Sequence, residues 1–298
     1  MPSRGTRVDK NTFGPWAIVT GASSGIGKEF ARQLAASGLN LVLVARRLEV
    51  LEALGDELAS TLGIQYRAIG LDLSIGDFIE KLENATHDLD IGLVVSNAGA
   101  MTIGDFLTVD QDEWQRNQHL NVNAHLNLAH SFGPRLAKRG HGGLLLVAST
   151  AGLQGMPFAA EYAAAKAYVL SLGEALHGEF QSKGVHVTVL LPGATDTPML
   201  AASGLATSAP ALVRPMTTRQ CVGEALAALS ANRATHITGR MDRIIAALVP
   251  RSLATRMYGS MLRQLMARQS ASAKRLDQRD APEKGRSVSA RQRGERAL

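Results

Sequence analysis

Trp16-Ala17-Ile18-Val19-Thr20-Gly21-Ala22-Ser23-Ser24-Gly25-Ile26-Gly27-Lys28 runs from a short apolar segment straight into a glycine-rich turn and then into a stretch of helical character. Strand, glycine turn, helix is the order that a dinucleotide site requires. Glycines let the backbone fold sharply and approach a pyrophosphate, while the free N–H groups and the positive dipole end of the following helix face it. The spacing of Gly21, Gly25 and Gly27 is Gly-x-x-x-Gly-x-Gly rather than Gly-x-Gly-x-x-Gly, and its position after an N-terminal strand makes it a phosphate turn rather than simple punctuation.

Working outward, short runs rich in Val, Ile and Leu alternate with longer segments of helical periodicity up to about Ile237. This pattern predicts an α/β fold, a doubly wound, mostly parallel sheet with helical crossovers. Strands are expected at 16–20, 40–45, 66–71, 91–96, 143–148, 185–190 and 235–237. Helices are expected at 25–37, 48–62, 76–85, 112–139, 160–183 and 219–231, each long enough for a right-handed crossover. The expected organisation is a disordered N-terminus over 1–11, one domain over 12–240, a helical appendage over 241–268 and a disordered basic tail over 269–298. In the appendage Leu253, Met257, Met261 and Leu265 recur every fourth residue, as do Ala254, Tyr258, Leu262 and Met266, with Arg256, Arg263 and Arg268 among them. An amphipathic basic helix after Pro250 follows. It reads as a helix packed on the body or on a second subunit, with peripheral membrane contact as the alternative.

The 298 residues contain one cysteine, Cys221, so no internal disulfide forms and a reducing, cytoplasmic setting is expected. The first residues hold no apolar stretch resembling a signal peptide, and no window approaches a membrane span. The formal charge is +6, of which five charges fall in the segment from Arg268 to Leu298, where nine bases face four acids without aromatic residues. A solvated tail, not specific nucleic-acid binding, is the expectation.

The segment over 40–45 ends Val44-Ala45-Arg46-Arg47, where an NAD-type site would carry an acid for the ribose 2′-hydroxyl. A guanidinium there pairs with a 2′-phosphate, so NADP(H) is favoured over NAD(H), with Arg46 as the chosen partner. Tyr162 and Lys166, in Glu161-Tyr162-Ala163-Ala164-Ala165-Lys166, share one face of a helix. An ammonium beside a phenol is expected to draw its pKa down toward the working range and fit it for proton transfer. Ser149, just past the run Leu144-Leu145-Leu146-Val147-Ala148, reads either as a hydroxyl facing the ligand crevice or as a turn cap. Asn121 lies inside the expected 112–139 helix, where it reads as a buried polar group or as an exposed helix residue.

Together these residues resemble the short-chain dehydrogenase/reductase family over about 16–199. The glycine motif is matched by Gly21, Gly25, Ile26 and Gly27 with Ser23 and Ser24 between them, the adenine-contacting acid by Asp72-Leu73, and the Asn-Ala-Gly element by Asn97-Ala98-Gly99. Asn121, Ser149, Tyr162 and Lys166 match the catalytic positions. Pro192-Gly193-Ala194-Thr195-Asp196-Thr197 resembles the segment that contacts the nicotinamide, with Thr197 as carboxamide partner. The resemblance implies hydride exchange between NADPH and a carbonyl carbon, Tyr162 serving as acid or base, Lys166 holding the ribose, Ser149 orienting the substrate and Asn121 helping to hold a water. It also implies a homodimer or homotetramer through the helices at 112–139 and 160–183. The family usually has Asn where this chain has Ser96. Trp16–Thr20 and Leu89–Val94 are similar to the branch of 17-beta-hydroxysteroid dehydrogenases and long-chain 3-oxoacyl reductases, and the apolar segment Met199–Met216 stands where that family's substrate lid lies. Both suggest a hydrophobic carbonyl substrate. An NADPH-binding regulator or scaffold without turnover is the rival reading.

Overall fold

A computed structural model describes residues 8–205 and 214–280. The strands are β1 (Trp16–Thr20), β2 (Asn40–Ala45), β3 (Tyr66–Gly70), β4 (Ile91–Ser96), β5 (Gly142–Val147), β6 (Val185–Leu191) and β7 (Thr235–Ile237). Among the described residues they form one sheet in the order β3-β2-β1-β4-β5-β6-β7, with every pairing parallel. Strand order reverses between β1 and β4, the switch point beyond whose carboxyl ends ligands bind in such sheets.

Helices cover both faces, which is why the strands read as nearly continuous apolar runs: every residue of β4 and β5 is buried. One core layer packs Phe30, Leu34 and Leu51 from α2 (Gly25–Ala36) and α3 (Leu48–Leu62), with Leu226 from α9 (Thr218–Ser230), against one face. The other packs Phe78 from α4 (Phe78–Asn84), Leu128 and Phe132 from α6 (Ala124–Arg139) and Val169 from α7 (Ala160–Gln181).

Three expectations are corrected. The N-terminus is ordered ahead of residue 12: Val8 is buried, and α1 (Lys10–Phe13), capped by Asp9, sets Phe13 against His186. Phe13 and Val8 supply apolar surface that a polar-looking leader concealed; residues 1–7 lie outside the described residues. The helix over 112–139 is not uniform. It runs as α5 (Gln111–Gln118), a π turn (His119–Asn123) and α6, a local widening of the kind often found at functional sites. The basic tail begins as helix, because α11 (Arg251–Asp280) continues through an Ala-, Lys-, Arg- and Gln-rich stretch of good helix formers before Pro282. Residues 281–298 lie outside the described residues. The appendage also contains a helix not expected, α10 (Arg240–Leu248), separated from α11 by Val249-Pro250.

Candidate active site

The glycine turn is held by β1 and β4. Thr20, fully buried, accepts hydrogen bonds at Oγ1 from the amides of Asn97 (2.8 Å) and Ala98 (3.1 Å), and Asn97 Nδ2 donates to the Thr20 carbonyl at 2.8 Å. Gly21 sits at φ 68° with no room for a side chain, since a Cβ would lie 2.8 Å from Asn97 Nδ2 and 3.1 Å from Ala98 Cα. At Gly27 a Cβ would overlap the Gly21 carbonyl oxygen, so only glycine lets α2 start this close to β1. Ser24 is the N-cap of α2, but no side chain caps the helix, which leaves its first amides for a ligand. These features fit a pyrophosphate. Arg46 is exposed at the end of β2, and Arg47 Nη2 donates to Ser23 Oγ at 3.3 Å, so the second arginine of the pair reaches the glycine turn. Asp72 Oδ1 accepts from the Ser74 amide and hydroxyl, while Leu73 is a core residue.

Asn121, Ser149, Tyr162 and Lys166 converge beyond the ends of β4 and β5. Asn121 is fully buried on the π turn; its Nδ2 donates to the Ala100 carbonyl at 2.8 Å and its Oδ1 accepts from the Ala100 amide at 3.1 Å. Ser149 follows β5 at the carboxyl end of the strand. It caps a short 3-10 turn (Thr150–Leu153) by accepting from the Ala151 amide at 3.1 Å, and its hydroxyl stands beside that of Tyr162. Lys166 Nζ donates to the Val147 carbonyl at 3.0 Å and lies 5.7 Å from the Tyr162 ring centre. A Cβ on Gly99 would meet Lys166 Nζ at 3.3 Å and Asn121 Oδ1 at 3.0 Å, so the glycine leaves the pocket floor open.

The expected lowering of the Tyr162 pKa is not found. Burial pushes the phenol above its usual value, the Ser149 hydroxyl pulls it back and the Glu161 carboxylate adds to the rise. Burial also draws Lys166 down to about 8, Glu161 partly opposing. Desolvation disfavours both charged forms and here outweighs the attraction between them.

The third segment is Pro192 to Thr197. Gly193 is pressed by the Asp242 carboxylate of α10, Thr195 is buried with its hydroxyl donating to the Gly193 carbonyl at 3.1 Å, and Thr197 caps α8 (Pro198–Ser203) by accepting from the Leu200 amide at 3.2 Å. The Thr197 methyl lies 3.3 Å from where a Gly25 Cβ would stand, which brings this segment against the glycine turn. Of the expected lid, Met199 to Leu205 and Arg214 to Met216 are described and 206–213 lie outside the described residues.

Sequence reasoning missed two features. Leu262 and Leu265 of α11 share an apolar cluster with Tyr162, Met156 and Ala151, so the appendage is a wall of the pocket. Its four-residue periodicity was visible, but not its target. Ser96, the departure from the family pattern, is hydrogen-bonded at 2.7 Å to Nδ1 of His125, which is fully buried and held neutral by burial and by Lys166.

A free helix N-terminus at the switch point, with a buried tyrosine and lysine beside it, defines a dinucleotide-dependent oxidoreductase. Comparison with known proteins agrees. The short chain dehydrogenase family profile matches residues 15–207, and the chain belongs to that family. A 7beta-hydroxysteroid dehydrogenase of Clostridium sardiniense is 35% identical over 189 residues, 63% of this chain and 72% of the relative. A very-long-chain 3-oxoacyl-CoA reductase of Neurospora crassa is 36% identical over 192 residues, 62% of this chain and 58% of the relative. The solved structure of a short-chain dehydrogenase from Sphingobium yanoikuyae in complex with NADPH superposes with a TM-score of 0.71 at 27% identity, covering 92% of this chain and 98% of that one. No helix among the described residues is long and apolar enough to cross a membrane.

Proposed function

We propose that the protein is an NADP(H)-dependent oxidoreductase that interconverts a carbonyl and an alcohol on a hydrophobic substrate in the cytoplasm. The observation that carries this reading is the setting of Tyr162: a buried phenol beside the Ser149 hydroxyl and Lys166, inside an apolar cluster that includes Met101, Ile103 and Leu262. That cluster, with the steroid and long-chain acyl specificities named for the relatives, supports an apolar ketone such as an oxosteroid or a 3-oxoacyl thioester.

When bound, NADPH would supply the hydride. Gly21, Ser23, Ser24, Gly25, Ile26 and Gly27 would hold its pyrophosphate, and Arg46, with Arg47 beside Ser23, its 2′-phosphate. Asp72 and Leu73 would flank the adenine; Asn97, Ala98 and Gly99 form the floor. Pro192, Gly193, Thr195 and Thr197 would border the nicotinamide. Tyr162 stays protonated at neutral pH because its pKa is held up, so it donates to the substrate oxygen during reduction. Ser149 would donate to the same oxygen, Lys166 would hold the ribose and return a proton to Tyr162, and Asn121, buried on the π turn, would help hold a water of that relay.

The test is NADPH oxidation with oxosteroids and 3-oxoacyl thioesters. Tyr162→Phe is expected to lower kcat by about 10³-fold with NADPH affinity unchanged. Tight NADPH binding without turnover on any carbonyl would instead favour a regulator. Arg46→Ala is expected to raise KM for NADPH about 10- to 100-fold, the worth of a charge-assisted hydrogen bond, and to leave NADH kinetics alone; equal losses with both cofactors would remove Arg46 from the 2′-phosphate site. Assembly as a homodimer or homotetramer is proposed through the outer faces of α6 and α7, where Leu126 and Tyr168 are exposed.

A further inference from the structure

α10 is turned the wrong way round for a surface helix. Its inward side is polar: Arg243 Nη1 donates to Glu224 Oε2 at 3.0 Å and to the Ile237 carbonyl at 2.9 Å, and the Asp242 carboxylate lies against Gly193. Its outward side carries Met241, Ile244, Ile245 and Leu248, at 66%, 48%, 44% and 75% exposure. The spacing of these four places them on one stripe. Not one residue of α10 is buried. A stripe of this kind is normally hidden, and left open it marks a surface for something else.

Charge identifies what covers it. Between Arg240 and Ala267 the exposed ionisable residues are Arg240, Arg251, Arg256 and Arg263; the carboxylate of this stretch, Asp242, faces inward, and Arg243 is committed to Glu224. A second copy presenting the same stretch would add further arginines and no exposed acid from it. An anionic bilayer offers apolar depth together with negative headgroups, the combination to which such a helix binds.

We propose that α10 lies in the interfacial layer of an anionic membrane, with Met241, Ile244, Ile245 and Leu248 among the acyl chains and the neighbouring arginines at the headgroups. The helix lies on the bilayer without crossing it, since nine residues span far less than its thickness. The polar contacts of Arg243 and Asp242 fix the exposed stripe in its outward orientation.

The test uses the full chain carrying Leu248→Cys, labelled with a polarity-sensitive fluorophore; Cys221, the native cysteine, is buried and leaves the label selective. Vesicles of phosphatidylcholine alone and of phosphatidylcholine with phosphatidylserine are compared. The expected result is co-sedimentation and a blue-shifted emission with the serine-containing vesicles, both weakened by salt. Ile244→Gln with Leu248→Gln is expected to lower the partition at least about 10-fold, with the thermal midpoint and the molar mass in solution unchanged. Absence of sedimentation by the unlabelled chain overturns the proposal. So does sedimentation without an emission shift, which would place the attraction in other basic segments. A changed molar mass in the double variant overturns it in favour of a second copy.

Discussion

In Lys166→Met, carbonyl reduction is expected to fall by about 10³-fold or more, while the cofactor-free protein becomes more stable at pH 7. The two effects have one cause. Lys166 is buried to the point that its pKa falls from 10.5 to about 8. Below pH 8 it is charged in both the folded and the unfolded chain, and folding bears the full cost of desolvating the ammonium, on the order of 3 kcal/mol. Between pH 8 and 10.5 the folded protein gives up its proton before the unfolded chain does, so this cost fades as pH rises. Methionine removes the charge but also the 3.0 Å hydrogen bond to the Val147 carbonyl, a loss of roughly 1–1.5 kcal/mol. A net gain of about 1–2 kcal/mol follows, largest below pH 8 and shrinking above it. Thermal melts from pH 6 to 10 check this; a variant less stable than the parent at every pH would show that the Val147 contact outweighs the buried charge.

The second large effect concerns the glycine turn. Gly27→Val places carbon where the Gly21 carbonyl oxygen and Asn97 Nδ2 already stand, and the first of these is backbone that cannot rotate away. α2 must then shift off β1, at a cost of about 3 kcal/mol in stability. The same shift moves the free amides at Ser24 and Gly25, so NADPH affinity measured by titration calorimetry is expected to drop at least about 100-fold. Gly178→Ala is the contrast. Gly178 lies within α7 with nothing within 4 Å of its Cβ position, and alanine there should stabilise by about 0.5–1 kcal/mol with NADPH affinity unchanged. If Gly27→Val bound NADPH normally, the pyrophosphate would have to sit elsewhere.

Much of this was legible in the chain itself. The apolar runs gave the strands to within a residue or so, because a parallel sheet covered on both faces demands continuous burial. The glycine turn was legible because its geometry excludes side chains, and Tyr162 and Lys166 because i and i+4 share a helix face. Less local properties were not. The π turn at Asn121 depends on Ala100 taking both ends of one side chain, a contact between segments far apart in sequence. The Ser96–His125 pair likewise joins β4 to α6.

The sequence by itself determined the α/β pattern, the place of the glycine turn and which candidate reacting groups share a helix face, since each is set by local geometry and residue chemistry. Only the tertiary structure decided their electrostatics and surroundings. An adjacent ammonium should lower a tyrosine pKa, yet packing buries both groups and desolvation wins, leaving Tyr162 high and Lys166 low. Periodicity alone shows that a helix has an apolar side, not where that side points. α11 turns Leu262 and Leu265 onto the Tyr162 cluster, whereas α10, fixed inward by Arg243 and Asp242, presents its apolar residues to the outside.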